Sequence, residues 1–176
     1  RSFFAEEAAV MQEVLEFDIR QVVVQNGTFG PQEIQAIQDA VSDESSRFST
    51  LREAVAELEI REDRSPASMV RLGVAQYLVG RFEDAIASLR QGDGGALAQF
   101  YLGKTQTVLQ RYDEAIESYA AAKTAGYNAD QCALAKAEAL RFKGDLTGAI
   151  GVLDGLSGAV EQTAEYLSQR GATVAA

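Results

Sequence analysis

The segment "AQFYLGKT" at 98–105 is where this chain comes nearest to a chemical motif. With Ala98 in place of a first glycine and Gly103-Lys104-Thr105 at its end, it fits the looser spacing of a phosphate-binding loop. Such a loop follows a buried strand, and its glycine-rich backbone bends so that successive amides face the phosphates. Gln99-Phe100-Tyr101-Leu102 is bulky instead and the surrounding pattern is helical, so no nucleotide site is expected. "GDGG" at 92–95 offers one carboxylate where calcium needs six or more oxygens, and reads as a connecting turn. Asn26-Gly27-Thr28 is a glycosylation sequon only in a secretory pathway, and turn chemistry explains it equally well.

The remaining reactive groups are few. Cys132, the single cysteine, excludes an intramolecular disulfide and is compatible with a reducing compartment. It falls in the first turn of an expected helix, whose dipole could lower its pKa. The chain holds no histidine, so the thiol lacks that base and the commonest metal ligand is missing too. Acidic pairs such as Glu6-Glu7 and Asp113-Glu114 read as solvated helix faces. No catalytic residue, metal ligand or cofactor is therefore expected, and the chemistry to look for is that of a surface.

Charge and hydropathy narrow the partner. The net charge of −10 argues against nucleic acid, whose phosphates require clustered Lys and Arg. It is uneven: residues 1–65 carry −8, residues 66–176 only −2. An acidic helical segment over 1–65 and a nearly neutral region over 66–176 are the expected domains. No apolar run approaches the roughly 20 residues of a membrane span, and a soluble, cytoplasmic protein is slightly favoured. The chain opens "RSFF" without a Met, so a fragment is expected, from which a targeting segment could have been cut.

What would position a surface is visible as repetition. "GRFEDAIASL" at 80–89 returns as "QRYDEAIESY" at 110–119 and "GDLTGAIGVL" at 144–153. Each copy follows a stretch with apolar residues spaced by three and four, such as Met69, Leu72, Ala75 and Leu78-Val79. Ser65-Pro66 is a good helix start, and Asp130 is the expected cap of the third unit. Gly80 and Gly144 fall where a helix ends in a left-handed residue; Gln110 takes that place in the middle unit, where a tighter or less ideal turn is expected. A turn of about two residues forces the flanking helices antiparallel. Small residues at matching places, Gly73 with Ala85, Gly103 with Ala115 and Ala137 with Ala149, suit a close crossing.

These residues resemble the tetratricopeptide repeat (TPR) family. The resemblance rests on Leu-Gly at 72–73 and 102–103, on the Gly-Arg-Phe or Gln-Arg-Tyr turn, and on Ala-Ile followed by Leu or Tyr. It covers about 66–157, with units starting near Pro66, Ala96 and Asp130, and "AEYLSQRGATVAA" from 164 reads as the first helix of a fourth, truncated unit. Departures are a first unit four residues short of the usual ~34, Lys136-Ala137 for Leu-Gly, and Leu146 for the turn aromatic. The implied fold is all-α, a right-handed α-solenoid of stacked antiparallel hairpins.

In this family the first helices of successive hairpins line a concave groove that takes peptides or partner segments. By resemblance, the groove-facing residues are Val70, Arg71, Val74 and Tyr77; Phe100, Tyr101, Lys104 and Thr107; and Leu134, Glu138, Arg141 and Phe142. Each unit offers a base (Arg71, Lys104, Arg141) beside an aromatic, the residue types that anchor interfaces. The set suggests an extended acidic and apolar partner segment and lacks the family's Lys/Asn carboxylate clamp. A competing reading packs several of these side chains between hairpins.

The first third is also expected to be helical. One helix places Phe4, Ala8, Met11, Leu15 and Val22 on a stripe and stops at Asn26-Gly27. Further helices begin at Pro31 and near Ser46, and the latter pair resembles a degraded repeat hairpin, with Phe48 near its turn. Three functions stay open: a non-catalytic protein-binding scaffold, an appendage of a larger enzyme such as a glycosyltransferase or kinase, and a self-association module dimerising through the unpaired C-terminal helix.

Overall fold

The computed structural model describes residues 17–156 and 171–175, and no strand occurs among them. The chain divides into two compact units, residues 1–62 and 63–176.

In the first unit, α1 spans Ile19–Val24, α2 Pro31–Asp43 and α3 Ser46–Glu59. The long N-terminal helix expected from the apolar stripe does not run through to Val22. Residues 17–18 are not helical, and Asp18, in extended conformation, caps α1 by accepting from the Gln21 amide (3.0 Å). An aspartate that satisfies an otherwise orphan amide starts a helix more readily than it continues one. Phe4, Ala8, Met11 and Leu15 lie outside the described residues. Pro31 opens α2 as expected. Within this unit α3 lies chiefly against α1 and touches α2 less. Arg20 grips the Glu57 carboxylate with two 3.0 Å hydrogen bonds, and Arg61 donates to the Val24 carbonyl (2.6 Å).

The second unit is a row of hairpins: α4 (Pro66–Leu78) with α5 (Phe82–Arg90), α6 (Ala96–Val108) with α7 (Tyr112–Thr124), and α8 (Ala129–Lys143) with α9 (Leu146–Asp154). Ser65 caps α4 as expected. In the third hairpin, however, the cap is Asn128, whose side chain accepts from the Gln131 amide, and Asp130 sits inside the first turn. There its charge still favours the positive end of the helix dipole.

The three turns close identically. Gly80, Gln110 and Gly144 adopt φ of 82°, 61° and 95°. Their amides reach back to Tyr77, Thr107 and Arg141, and the next amides (Arg81, Arg111, Asp145) reach the carbonyls of Gln76, Gln106 and Leu140 at 2.8–2.9 Å. Gln110 therefore makes the same turn as the glycines, not a tighter one. The cost is backbone strain of about 1 kcal/mol for a side chain held in the left-handed region.

Within each hairpin the close approach involves a different partner from the one expected. A Cβ on Gly73 would lie 2.6 Å from the Leu89 side chain, and one on Gly103 only 2.5 Å from the Tyr119 ring. Ala85, Ala115 and Ala149 are fully buried, yet the residues that fill the space over each crossing are Leu89, Tyr119 and Leu153, four positions later. Leu153 packs with Leu134 and Ala137. Alongside runs a second paired position. Ser88 donates to the Gln76 amide oxygen (2.7 Å), and Ser118 and the Gln106 amide lie 2.6 Å apart, both buried; Leu140 and Val152 occupy the corresponding places in the third hairpin.

One difference between hairpins alters the surface. α5 ends after nine residues, and Asp93 turns the chain by accepting from the Gly95 amide (2.8 Å). α7 is one helical turn longer, at 13 residues, and left-handed Gly126 (φ 102°) then leads into Tyr127. Between hairpins, Arg111 pairs with Glu83 and Lys143 with Asp113; the two acids occupy equivalent positions of successive units, while the bases sit two register positions apart. Both pairs are exposed, so their contribution is small.

Candidate partner-binding face

The first helices of the hairpins are neighbours of one another, α4 of α6 and α6 of α8, while α5 and α7 fit between successive first helices. Side chains on α4, α6 and α8 thus share one side of the row. The units of 30 and 34 residues set up equivalent columns along it: Val70, Phe100 and Leu134; Val74, Lys104 and Glu138; Tyr77, Thr107 and Arg141.

Burial separates the candidates. Val70, Val74, Phe100, Tyr101, Thr107 and Leu134 are packed into the array. Arg71, Tyr77, Lys104, Glu138 and Arg141 are partly exposed, and Phe142 is 49% exposed. The first column is therefore a seam between helices, while the accessible side chains are Lys104 and Glu138 in the second column and Tyr77 and Arg141 in the third. Phe142 is set apart: its ring faces Tyr112 at the start of α7 (6.4 Å between centroids), with the Arg141 guanidinium 4.3 Å from its own ring centre.

Aromatic rings join the hairpins. Tyr77 meets Phe82 at 5.9 Å and Tyr101 edge-on at 5.5 Å; Tyr101 meets Phe100 at 5.6 Å; Phe100 stacks on Tyr127 at 4.0 Å with ring planes 9° apart. Such pairs contribute about 0.5–1.5 kcal/mol each beyond their buried area. Tyr127 was not among the sequence candidates. Its only signal is that an aromatic follows a turn glycine in the segment that makes this unit longer than the first.

The phenols are anchored as neutral groups. Burial raises the pKa of Tyr101 well above its ordinary 10.0, helped by Tyr127 and Tyr77, and pushes Tyr127 up to about 12. Burial likewise raises Tyr119, although Thr107 opposes it. The Thr107 hydroxyl donates to the Gly103 carbonyl (2.9 Å), which leaves the Tyr119 hydroxyl to donate to Thr107 (3.0 Å). Thr107 is thus committed to the interior, as is Thr105, which donates to the Tyr101 carbonyl. Thr105 lies inside α6 with Gly103 and Lys104, so the phosphate-loop spacing sits within a continuous helix. Cys132 is also corrected: burial pushes its thiol up, against a smaller lowering by Lys123, and the helix dipole does not prevail. Among the described residues, no group of three or more Cys, Asp and Glu could hold a metal, and no helix is long and apolar enough to cross a membrane.

Stacked antiparallel hairpins, left-handed turn residues and small crossing positions define a TPR-like α-solenoid. Two solved structures of MamA share the architecture. One superposes with a TM-score of 0.53 at 17% identity, covering 82% of this chain and 90% of that one. The other gives 0.54 at 16% identity, covering 81% and 84%. No family model and no curated protein sequence matches the chain.

Proposed function

We propose that the chain is a non-catalytic protein-binding scaffold whose α4–α6–α8 side holds an extended partner segment bearing acidic and apolar residues. The observation that carries this is that Tyr77 and Tyr127 stay partly exposed at the two ends of a ring path whose middle members, Tyr101 and Phe100, are buried and hold them in place, with Arg71, Lys104 and Arg141 partly exposed on α4, α6 and α8. The two accessible rings, Tyr77 and Tyr127, supply rigid contact area at low entropic cost, and the bases select against basic partners. The solenoid likeness to MamA supports a repeat scaffold and leaves the partner to be found by its chemistry.

The test is charge reversal. Arg71, Lys104 and Arg141 changed together to Glu should weaken capture of an acidic-apolar peptide at least about tenfold, since each rim charge contributes up to roughly 1 kcal/mol. Helicity should not change. Undiminished capture by a folded triple variant rejects the reading. Self-association through the helix expected from 164 draws on residues that mostly lie outside those described. Its check is sedimentation: association that rises with concentration supports it, and a strict monomer at high micromolar concentration removes it.

A further inference from the structure

A cavity of about 520 Å³ opens between α7, α8 and α9, lined by Tyr119, Ala120, Lys123, Cys132, Lys136 and Val152 among others. It has three local causes. The extra turn of α7 raises a wall bearing Lys123 and Thr124, where the shorter first hairpin has only the Asp93-Gly94 turn. Small side chains at Ala120, Ala129 and Ala133 leave the space between the walls unfilled. Lys136 stands where the preceding hairpin has Leu102, which puts a second ammonium on the rim.

The electrostatics are unusual for this chain. With a net charge of −10 overall, no carboxylate among the described residues lines the cavity, and two lysines do. Neither lysine forms an ion pair with another described residue. The floor is formed by Tyr119 and Cys132, 1% and 3% exposed, both held neutral by burial, so nothing there repels an anion. The size suits a small ligand, and a mainly apolar wall with a few polar groups is the usual composition of such a site.

We propose that this cavity binds a small amphipathic carboxylate, with its apolar chain against Ala120, Ala133 and Val152 and its carboxylate at the Lys123 and Lys136 ammoniums. Each ammonium is a compact point charge able to pair with one anionic head, and the apolar wall suits the alkyl chain that a carboxylate amphiphile carries. The site is independent of the α4–α6–α8 face and involves none of its candidate residues.

Decanoate, kept below its critical micelle concentration, is the probe, and decanol is the uncharged control. Amide spectra of the whole chain should show saturable shifts at Ala120, Cys132 and Ala133 with decanoate. Decanol should bind about fivefold more weakly, given the modest worth of one exposed and one partly exposed charge. Lys123→Ala with Lys136→Ala should reduce decanoate to the decanol level, and Ala133→Leu should block both by filling the space. Retained spectra elsewhere report that each variant is folded. Three outcomes overturn the proposal: no saturable shift at these residues, equal affinity for decanoate and decanol, or shifts produced only by an acidic-apolar peptide.

Discussion

The second and third hairpins of the array share one backbone and fill it with opposite chemistry. In the second, Gly103 makes room for the Tyr119 ring, Thr107 satisfies the ring's hydroxyl, and Gln106 pairs with Ser118. In the third, Ala137 faces Leu153, and Leu140 and Val152 replace the amide–hydroxyl pair. A buried interior can thus be polar with every group paired or apolar throughout; it is the half-changed state that is costly. No buried side-chain nitrogen or oxygen among the described residues lacks a partner. The turn and the small residue at the crossing are demanded by the backbone, while the side chains around them are exchangeable only as sets.

The largest expected effect separates the two hairpins by pH. Tyr101, Tyr119 and Tyr127 belong to the second hairpin and its following turn, and burial raises the pKa of each above 10.0. The folded state therefore keeps their protons longer than the unfolded chain. Their contribution to stability is fully present below pH 10, and is lost as pH rises from there toward the folded values. The urea midpoint should hold between pH 7 and 8.5, begin to fall above pH 9 where the buried Cys132 thiol contributes, and fall clearly by pH 11. Tyr119→Leu, which imports the third hairpin's residue, should lessen that fall; an identical alkaline loss in this variant would exclude Tyr119 as a source.

Next comes the crossing itself. Gly103→Ala places a methyl against a ring that cannot flex away, and should cost about 2 kcal/mol by urea unfolding. Adding Tyr119→Leu recreates the Ala/Leu pair of the third hairpin and should recover most of the loss. A double variant no better than Gly103→Ala would show that the third hairpin has a different helix separation. Ser118→Val alone removes one partner of the buried Gln106 amide and should cost about 1–2 kcal/mol, whereas Gln106→Leu with Ser118→Val should be near neutral. Simple additivity of the two losses would break the comparison. The smallest effect is a gain: Gln110→Gly relieves the left-handed strain and should stabilise by up to about 1 kcal/mol, net of the entropy glycine loses on folding.

Features governed by local rules were legible in the sequence. The register of Gly80, Gln110 and Gly144 located three turns, and helix periodicity with Ser65-Pro66 and Pro31 located the starts. Errors came where two local signals competed. Apolar spacing ran unbroken past Asp18, so the cap that starts α1 went unread. Asn128 and Asp130 are equally good caps two residues apart, and periodicity does not choose between them. Non-local facts were out of reach. The face of α6 could be drawn from its period, but only the neighbouring hairpins bury Phe100 and Tyr101 while leaving Lys104 accessible. Likewise, Tyr127 meets Phe100 because α7 is a turn longer than α5, which no single-helix argument anticipates.

Amide hydrogen exchange on the chain with and without a captured acidic-apolar segment tests the scaffold reading most directly. New protection should appear along α4, α6 and α8, around Arg71, Tyr77, Lys104 and Arg141, with α5 and α9 unchanged. Protection confined to the second helices, or to residues 17–62, would contradict it.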